Sequence, residues 1–482
     1  MSDLPNATKY RDLVDANPDM KAVIWSSLVL HDARSRNVMK EFIGSEEQRL
    51  PVCEKTDLNK GAAEDVVFTT MAPVRGQGVL GENELKSNTH KLNYGTFRVT
   101  VDLLRHAVSF TQLMNHMRKL SPHQASAKVM TEWYARKEED DIQLTLREKA
   151  LNEHPENLVR TGGRSSQADL DFADTFNTSA IEEAKAKLIA QGGMEIAMDN
   201  APSGADNPQY ILFGTDQVLR PLRRSQQYLL ALRDADRRGD ENRLFRGRYA
   251  MWENMVIYPH SMKIDSADGR QGSPLQPLAF LGTALSGDSA TEVTGGGEKY
   301  AAGTSDYMAY LGGYHWKLHD SEDAPDGLGT KTFYAIIYNL TGEDKGKYEG
   351  ISWSGSGNDG TKLTGVTRGV ASILSDQDDN HTYDHPSGSM IIPCTENGVP
   401  LGYVLAMGAH ALYYAKGSIP AEPIFHWDDF KNSRGEAHLT GVGMQGIRGM
   451  SPYRDTIKRL PNFLLIETAY SIPGVDLSAS EA

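Results

Sequence analysis

The sequence predicts an α+β chain of several domains, and three observations predict it. Two strand-like segments lie near the N-terminus, one long capped helix follows them, and the second half turns β-rich and glycine-rich. The first strand reads Asp65–Met71. The second reads Tyr94–Leu103, where Phe97, Val99, Val101 and Leu103 alternate with Thr96, Arg98, Thr100 and Asp102, the period-two pattern of a half-buried strand. Between them lies a polar tip, Arg75–His90, too long for a tight turn. A two-stranded ribbon is marginal in water and carries unpaired edges. Another surface must cover it, and a second copy of the same chain is the natural candidate, with Phe97, Val99 and Val101 on the covered face.

The long helix is expected over about 121–152. Ser121 is placed as N-cap, Pro122 takes the first helical position where its missing N–H costs nothing, and Gln124 completes a capping box. Ala125, Val129 and Trp133 mark one face. Its centre, Arg136 to Asp141, is charged; Arg136/Asp140 and Lys137/Asp141 are opposite-sign i,i+4 pairs. That centre is expected to be partly exposed or to meet a neighbour. Pro155 forbids continuation.

Residues 152–177 read as a polar linker. A second helix follows, with a capping box at Ser179 and Glu182, a face of Ile181, Ala184 and Leu188, and a stop at Gly192-Gly193. A strand at Tyr210–Phe213, helical sequence to about Arg237 and a strand at Met255–Tyr258 suit an α/β layer. Residues 262–393 differ: they hold 21 of the 45 glycines, with 18 acidic against 9 basic residues. Short apolar runs at Thr332–Tyr338 and Tyr348–Trp353 sit between glycine-rich turns, so a β-rich insertion is expected. The C-terminal Phe463–Tyr470 is strand-like.

Bulk properties exclude several classes. A chain of 482 residues buries a sizeable core and divides into two or more domains. Fifty basic against 64 acidic residues leave a formal charge of −14, which argues against a surface built to grip nucleic acid. Cys53 and Cys394 alone exclude a disulfide framework or a thiolate-rich zinc site. Met1-Ser-Asp-Leu-Pro5 lacks a basic and an apolar region, so no secretory signal is expected, and no apolar run is long enough to span a membrane.

Motifs for chemistry are weak. Gly355/Gly357/Gly360 and Gly441/Gly443/Gly446 match Gly-x-Gly-x-x-Gly, but neither opens a helix, so no dinucleotide cofactor is expected. Asp376, Asp378 and Asn380 resemble the start of a calcium loop, yet His381 stands where glycine is needed and Ser387 where glutamate is needed. With His385 before Pro386, a solvated acidic loop is expected there, and no metal. No nucleophile elbow, paired-histidine zinc motif or phosphate loop occurs, so no catalytic residue is named. Arg220–Arg248 holds nine arginines against four acids. Solvated helix faces explain such a run; the sharper expectation is pairing with a neighbouring copy through Arg223 and Arg224, with lining of a DNA-facing side third.

The order of these segments resembles a known family. Trp25–Arg34, Lys55–Gly61, Gly76-Gln-Gly78, Arg105-His-Ala-Val108 and the helix after them are similar to major capsid proteins of tailed phages, the subfamily typified by coliphage N-4 being nearest. Leu244-Phe245, Met255–Tyr258, Ala409–Leu412 and His438–Gly446 continue the likeness, which covers roughly the first 260 and last 90 residues. The resemblance implies the HK-97-like capsid fold. It implies an N-terminal arm (1–55), an extended loop or E-loop (56–104) and a peripheral domain with the long spine helix (105–175). An α/β axial domain (176–261), the β-rich insertion (262–393), an axial return (394–424) and a peripheral return (425–482) complete it. It further implies a non-enzymatic protein forming hexamers and pentamers of an icosahedral head around double-stranded DNA, without sequence-specific binding. Portal, scaffolding and decoration proteins are implied partners, no cofactor is implied, and the location is the virion, with assembly in the host cytoplasm. Some relatives cross-link a ribbon-tip lysine to a neighbour's asparagine. Lys86 and Asn88 sit there, but no positioning acid is identifiable and no cross-link is expected.

Rival readings come from other classes. One is an acidic β-rich glycan-binding protein or hydrolase, with Trp316, Trp353 and Tyr383 stacking sugars and Asp320 and Glu322 as carboxylates. The other is a phage decoration or tail protein, which the long capped helix after a ribbon disfavours.

Overall fold

The computed structural model describes residues 38–45, 47–56, 65–71, 79, 94–111, 122–196, 210–230, 250–260, 272–287, 290–297, 301–302, 311, 331–342, 344–358, 361–373, 382–417, 424–428, 439–452 and 461–471. In chain order the main elements begin with β1 (Val52–Lys55), β2 (Asp65–Met71), β3 (Tyr94–Thr100), β4 (Asp102–Thr111) and α1 (Pro122–Asn152). Next come β5 (Leu158–Arg160), α2 (Thr178–Ala190), β6 (Tyr210–Thr215), α3 (Asp216–Arg224) and β7 (Met255–His260). The second half adds β8 (Ala279–Phe280), β9 (Thr332–Tyr338), β10 (Tyr348–Ser354), β11 (Thr367–Arg368) and β12 (Met390–Cys394). The chain closes with β13 (Leu401–Met407), β14 (Leu412–Gly417), β15 (Ile424–Asp428), β16 (Leu439–Pro452) and β17 (Phe463–Ala469). The chain divides into two compact units, the first holding 1–48, 52–142 and 412–458, the second 49–51, 143–411 and 459–482.

In the first unit, a sheet runs Ile43–Gly44, β1, β14, β16, β15, and β4 also pairs with β16. The ribbon β2–β3 is antiparallel from Asp65↔Thr100 to Met71↔Tyr94 and sets Phe68 opposite Phe97. The single strand expected over Tyr94–Leu103 is in fact two. β3 ends at Thr100 with the ribbon, and β4 starts at Asp102 to pair with β16 from Arg448 to Leu439. The break moves Leu103 off the apolar face, leaving it 39% exposed. Gly449 sits where the chain changes partner: a Cβ there would lie 2.1 Å from the Thr100 carbonyl oxygen, so only glycine fits without a backbone shift.

The long helix α1 starts at Pro122, one residue inside the expected range, and ends at Asn152 as expected. Ser121 lies outside the described residues. Its charged centre, however, is buried rather than partly exposed: Glu138, Glu139, Asp140 and Asp141 are all under a tenth accessible.

In the second unit, the α/β sheet runs β5, β17, β13, β6, β7 and Ala250–Trp252. β6 and β7 are parallel, with α3 beginning directly after β6; the helical sequence expected to about Arg237 breaks at Ser225, and residues 231–249 lie outside the described residues. Every residue of β6, β13 and β17 is buried, so their apolar residues are not confined to alternate positions, and Glu467 and Thr468 of β17 are buried with them. Ile181, Ala184 and Leu188 of α2 and Val218, Leu219 and Leu222 of α3 share one cluster with Leu212, Val404, Leu464 and Ile466. Burying a leucine or isoleucine this completely contributes on the order of 2 kcal/mol each.

Two local expectations change. The N-cap of α2 is Asn177, whose side chain accepts from the Ala180 N–H at 3.0 Å; Ser179 lies inside the first turn and donates to Asn177. The helix ends as expected, with Gly192 at φ +74° and the Gly193 N–H on the Leu188 carbonyl. The polar stretch 152–177 is not a free linker. It supplies the edge strand β5, parallel to β17, and Arg160 pairs with the buried Glu467 at 2.9 Å.

The described residues within 262–393 are β-rich as expected, forming the antiparallel order β8, β12, β9, β10, β11. Ala335, Ile337, Ile351, Trp353 and Ile391 make one cluster on this sheet. Phe280, Tyr338, Met390 and Ile392 instead join the α/β cluster, so this sheet and the α/β layer share a core.

Candidate functional site

The ribbon unit combines an exposed face with a packed scaffold beneath it. Val66, Phe68, Phe97 and Val99 pack on Cys53, Tyr413 and Ala415 of β1 and β14, with Val101 half-buried beside them. Phe68 meets Tyr413 edge-on at 4.7 Å between ring centroids, and Phe97 meets it at 5.7 Å. Lys55 closes the rim: its Nζ lies 5.2 Å from the Phe68 ring centroid and donates to the Val67 carbonyl at 3.2 Å. The expectation that Phe97, Val99 and Val101 meet a sister molecule is thereby corrected. Their own chain fills that face, because β14, more than 300 positions later in the chain, lies under the ribbon. The opposite face stays open, with Val67, Thr69, Thr96, Arg98 and Thr100 exposed.

Behind the ribbon, the buried acids of α1 meet β14 and β16. Glu138 accepts from the Tyr414 hydroxyl at 2.7 Å and from Lys416 at 3.1 Å, and Glu54 lies 3.8 Å from the same ammonium. Burial, then the Glu138 charge, push the Tyr414 hydroxyl far above the ordinary tyrosine range. Burial pulls the Lys416 ammonium down, but Glu138 and Glu54 outweigh it and raise it. Asp141 binds Arg448, and Lys137 reaches Asp141 at 3.0 Å, as its i,i+4 spacing led us to expect. Arg448 also lies over the Tyr134 ring, 5.6 Å from its centroid. Gly446 admits that tyrosine: a Cβ there would come 2.8 Å from its hydroxyl.

The basic segment is described only to residue 230. Arg220, Arg223 and Arg224 are exposed on α3, and Arg223 lies 3.9 Å from Asp216 of the same helix.

Other sequence features fall as follows. Gly441, Gly443 and Gly446 lie inside β16, and Gly355–Gly357 is a single helical turn after β10, so neither run precedes a phosphate-binding helix. Asp376, Asp378, Asn380 and His381 lie outside the described residues, as do Lys86, Asn88, Trp316, Asp320 and Glu322. Within the acidic segment His385 is buried and paired with protein groups. Trp353 is 2% exposed in an apolar cluster and stacks on Phe333, so it offers no face to a sugar. Tyr383 has Lys347 5.0 Å from its ring centroid. Among the described residues no group of three or more His, Cys, Asp or Glu is arranged to hold a metal, and no helix is long and apolar enough to cross a membrane. Sequence reasoning missed the Glu138–Tyr414 and Asp141–Arg448 contacts. The signal was there in four consecutive acids, but not the partners.

Residues 16–150, the segment with the ribbon and most of α1, match a family model described as phage capsid protein. The whole chain is similar in fold to the capsid of Ralstonia phage GP4, at 14% identity and a TM-score of 0.55, over 95% of this chain and 97% of that one. It is also similar to the cyanophage Pam1 capsid, at 13% identity and TM-score 0.53 over 98% and 99%. The head of Helicobacter pylori bacteriophage KHP40 matches at 11% identity and TM-score 0.51 over 98% of each chain. No curated protein matches the chain. The fold is therefore that of phage capsid shells, the HK-97-like α+β fold. The family pattern lies in the part that builds the ribbon and the long helix.

Proposed function

We propose that this chain is the major capsid protein of a tailed phage, a shell subunit whose work is self-association. The observation that carries the reading is that the chain is similar in fold to capsid proteins over nearly its whole length, while the family pattern spans the ribbon and most of the long helix. In this reading the chain is a structural component of the virion and not an enzyme. Copies associate as hexamers and pentamers that close around double-stranded DNA, each contact modest and the shell stable collectively. The exposed side of the ribbon, Val67, Thr69, Thr96 and Arg98, is the face a neighbour covers, and Phe97 and Val99 hold that face rigid from beneath. Arg223 and Arg224 pair with carboxylates of an adjacent copy. The acidic balance lets packaged DNA slide past the wall. Assembly in the host cytoplasm, a portal, a scaffolding function, decoration proteins and the coliphage N-4-type subfamily belong to the same proposal, supported by the order of sequence segments.

Electron microscopy of the purified chain, alone and with its scaffolding partner, tests it. Shells, rings or capsomers are expected; a strict monomer under both conditions overturns the reading.

A further inference from the structure

The second unit holds a buried polar knot that shell-building does not explain. Glu349 of β10 is fully buried and accepts five hydrogen bonds. Arg368 of β11 gives two, at 2.8 and 2.7 Å, the Gly369 N–H gives one at 3.2 Å and the Tyr383 N–H one at 3.0 Å. The fifth comes from His385 Nε2 at 3.0 Å. His385 is equally buried, and its other nitrogen, Nδ1, lies 2.6 Å from Asn339 Oδ1. The Asn339 amide has one orientation, because its Nδ2 donates to the Asp384 carbonyl, which can only accept. Both nitrogens of the His385 ring therefore face oxygens that can only accept.

We propose that His385 is held as a doubly protonated imidazolium, and that this proton latches segment 382–389 onto the β9–β10–β11 face. A neutral ring has one N–H and would set a lone pair against either Asn339 Oδ1 or Glu349 Oε2. The carboxylate is firmly ionised: burial would raise it, but His385, Arg368 and the Tyr383 N–H bring it down to about 2. Among the described residues the charged groups facing the ring are Glu349 and Arg368. The 281–287 segment presents backbone, with Leu285 and His385 exchanging N–H···O bonds at 2.8 and 2.9 Å. Within the latched segment, the Tyr383 carbonyl accepts from Arg368 at 2.6 Å, and the Asp384 carboxyl takes the Gly287 N–H at 3.4 Å. The two N–H bonds of His385, with the Arg368 bond to the Tyr383 carbonyl, anchor the segment that begins at residue 382.

The test uses the full-length chain with 15N-labelled histidine at pH 7.5. One ring of the fourteen should show N–H on both nitrogens, and that signal should vanish in His385→Gln; only singly protonated rings would overturn the latch. Denaturant unfolding at pH 7.5 should show the folding equilibrium of His385→Gln lower by about tenfold or more, the loss expected when charge-assisted hydrogen bonds are removed. An unchanged equilibrium would also overturn it. If His385→Gln does not fold, the wild-type histidine spectrum decides alone: one ring with N–H on both nitrogens is expected, and its absence rejects the proposal.

Discussion

Asp141, in the middle of the long helix, binds Arg448 of β16 across 307 positions of sequence, and both side chains are about nine-tenths buried. This pair, with Glu138 on Tyr414 and Lys416, turns an acidic helix centre into the joint between α1 and the sheet beneath the ribbon.

Breaking that joint from one side leaves a charge buried without its main partner. Arg448→Met should cost about 3 kcal/mol, the low end for a broken buried pair because Lys137 still reaches Asp141. The double variant Arg448→Met/Asp141→Leu should recover most of the loss. Denaturant unfolding of all three chains measures it; a double variant no better than the single one contradicts the account.

The two faces of the ribbon should separate folding from assembly. Phe97→Ala removes a ring packed on Phe68 and Tyr413 and should destabilise the chain by about 3–5 kcal/mol. Arg98→Glu, one residue on and exposed, should leave unfolding within about 0.5 kcal/mol of wild type while lowering particle yield. Thermal unfolding and particle counts by microscopy decide; normal particles from Arg98→Glu would move the contact elsewhere.

Reversing Arg223 and Arg224 to glutamate should likewise spare the fold and impair capsomer formation, since both are exposed on α3. Sedimentation of the double variant reads this directly. Assembly at wild-type yield removes these arginines from the interface.

Glu349 sets an acid limit. Its folded value, about 2, lies below the ordinary 4.5, so its contribution is complete above pH 4.5 and is lost as pH falls from 4.5 toward 2. The shift corresponds to about 3 kcal/mol. Unfolding followed from pH 6 to 2 should show this loss in the wild type and a flatter curve in Glu349→Gln, which is weaker at neutral pH.

Gly449→Ala should be disproportionately harmful for one methyl group, by about 1–3 kcal/mol, because the new Cβ meets the Thr100 backbone. A chain of wild-type stability would show that the strand switch at Val101 relaxes freely.

Local chemistry made much of this protein readable from its residues. Proline at a first helical position and Pro155 beyond the end bounded α1, and alternation marked Phe97 and Val99 as one covered face. The apolar runs Tyr210–Phe213 and Phe463–Ile466 marked β6 and β17. These signals are short-ranged, set by backbone sterics and by side chains a few positions apart. What covers the ribbon was decided in three dimensions, by Tyr413 and Ala415 brought under Phe68 and Phe97 from the far end of the chain. The same holds for the four acids of α1: their spacing showed the pairs with Arg136 and Lys137, but burial came from β14 and β16. A sequence displays which charges need partners; long-range strand pairing chooses the partners, because the cost of an unpaired buried charge is levied only once the chain has folded around it.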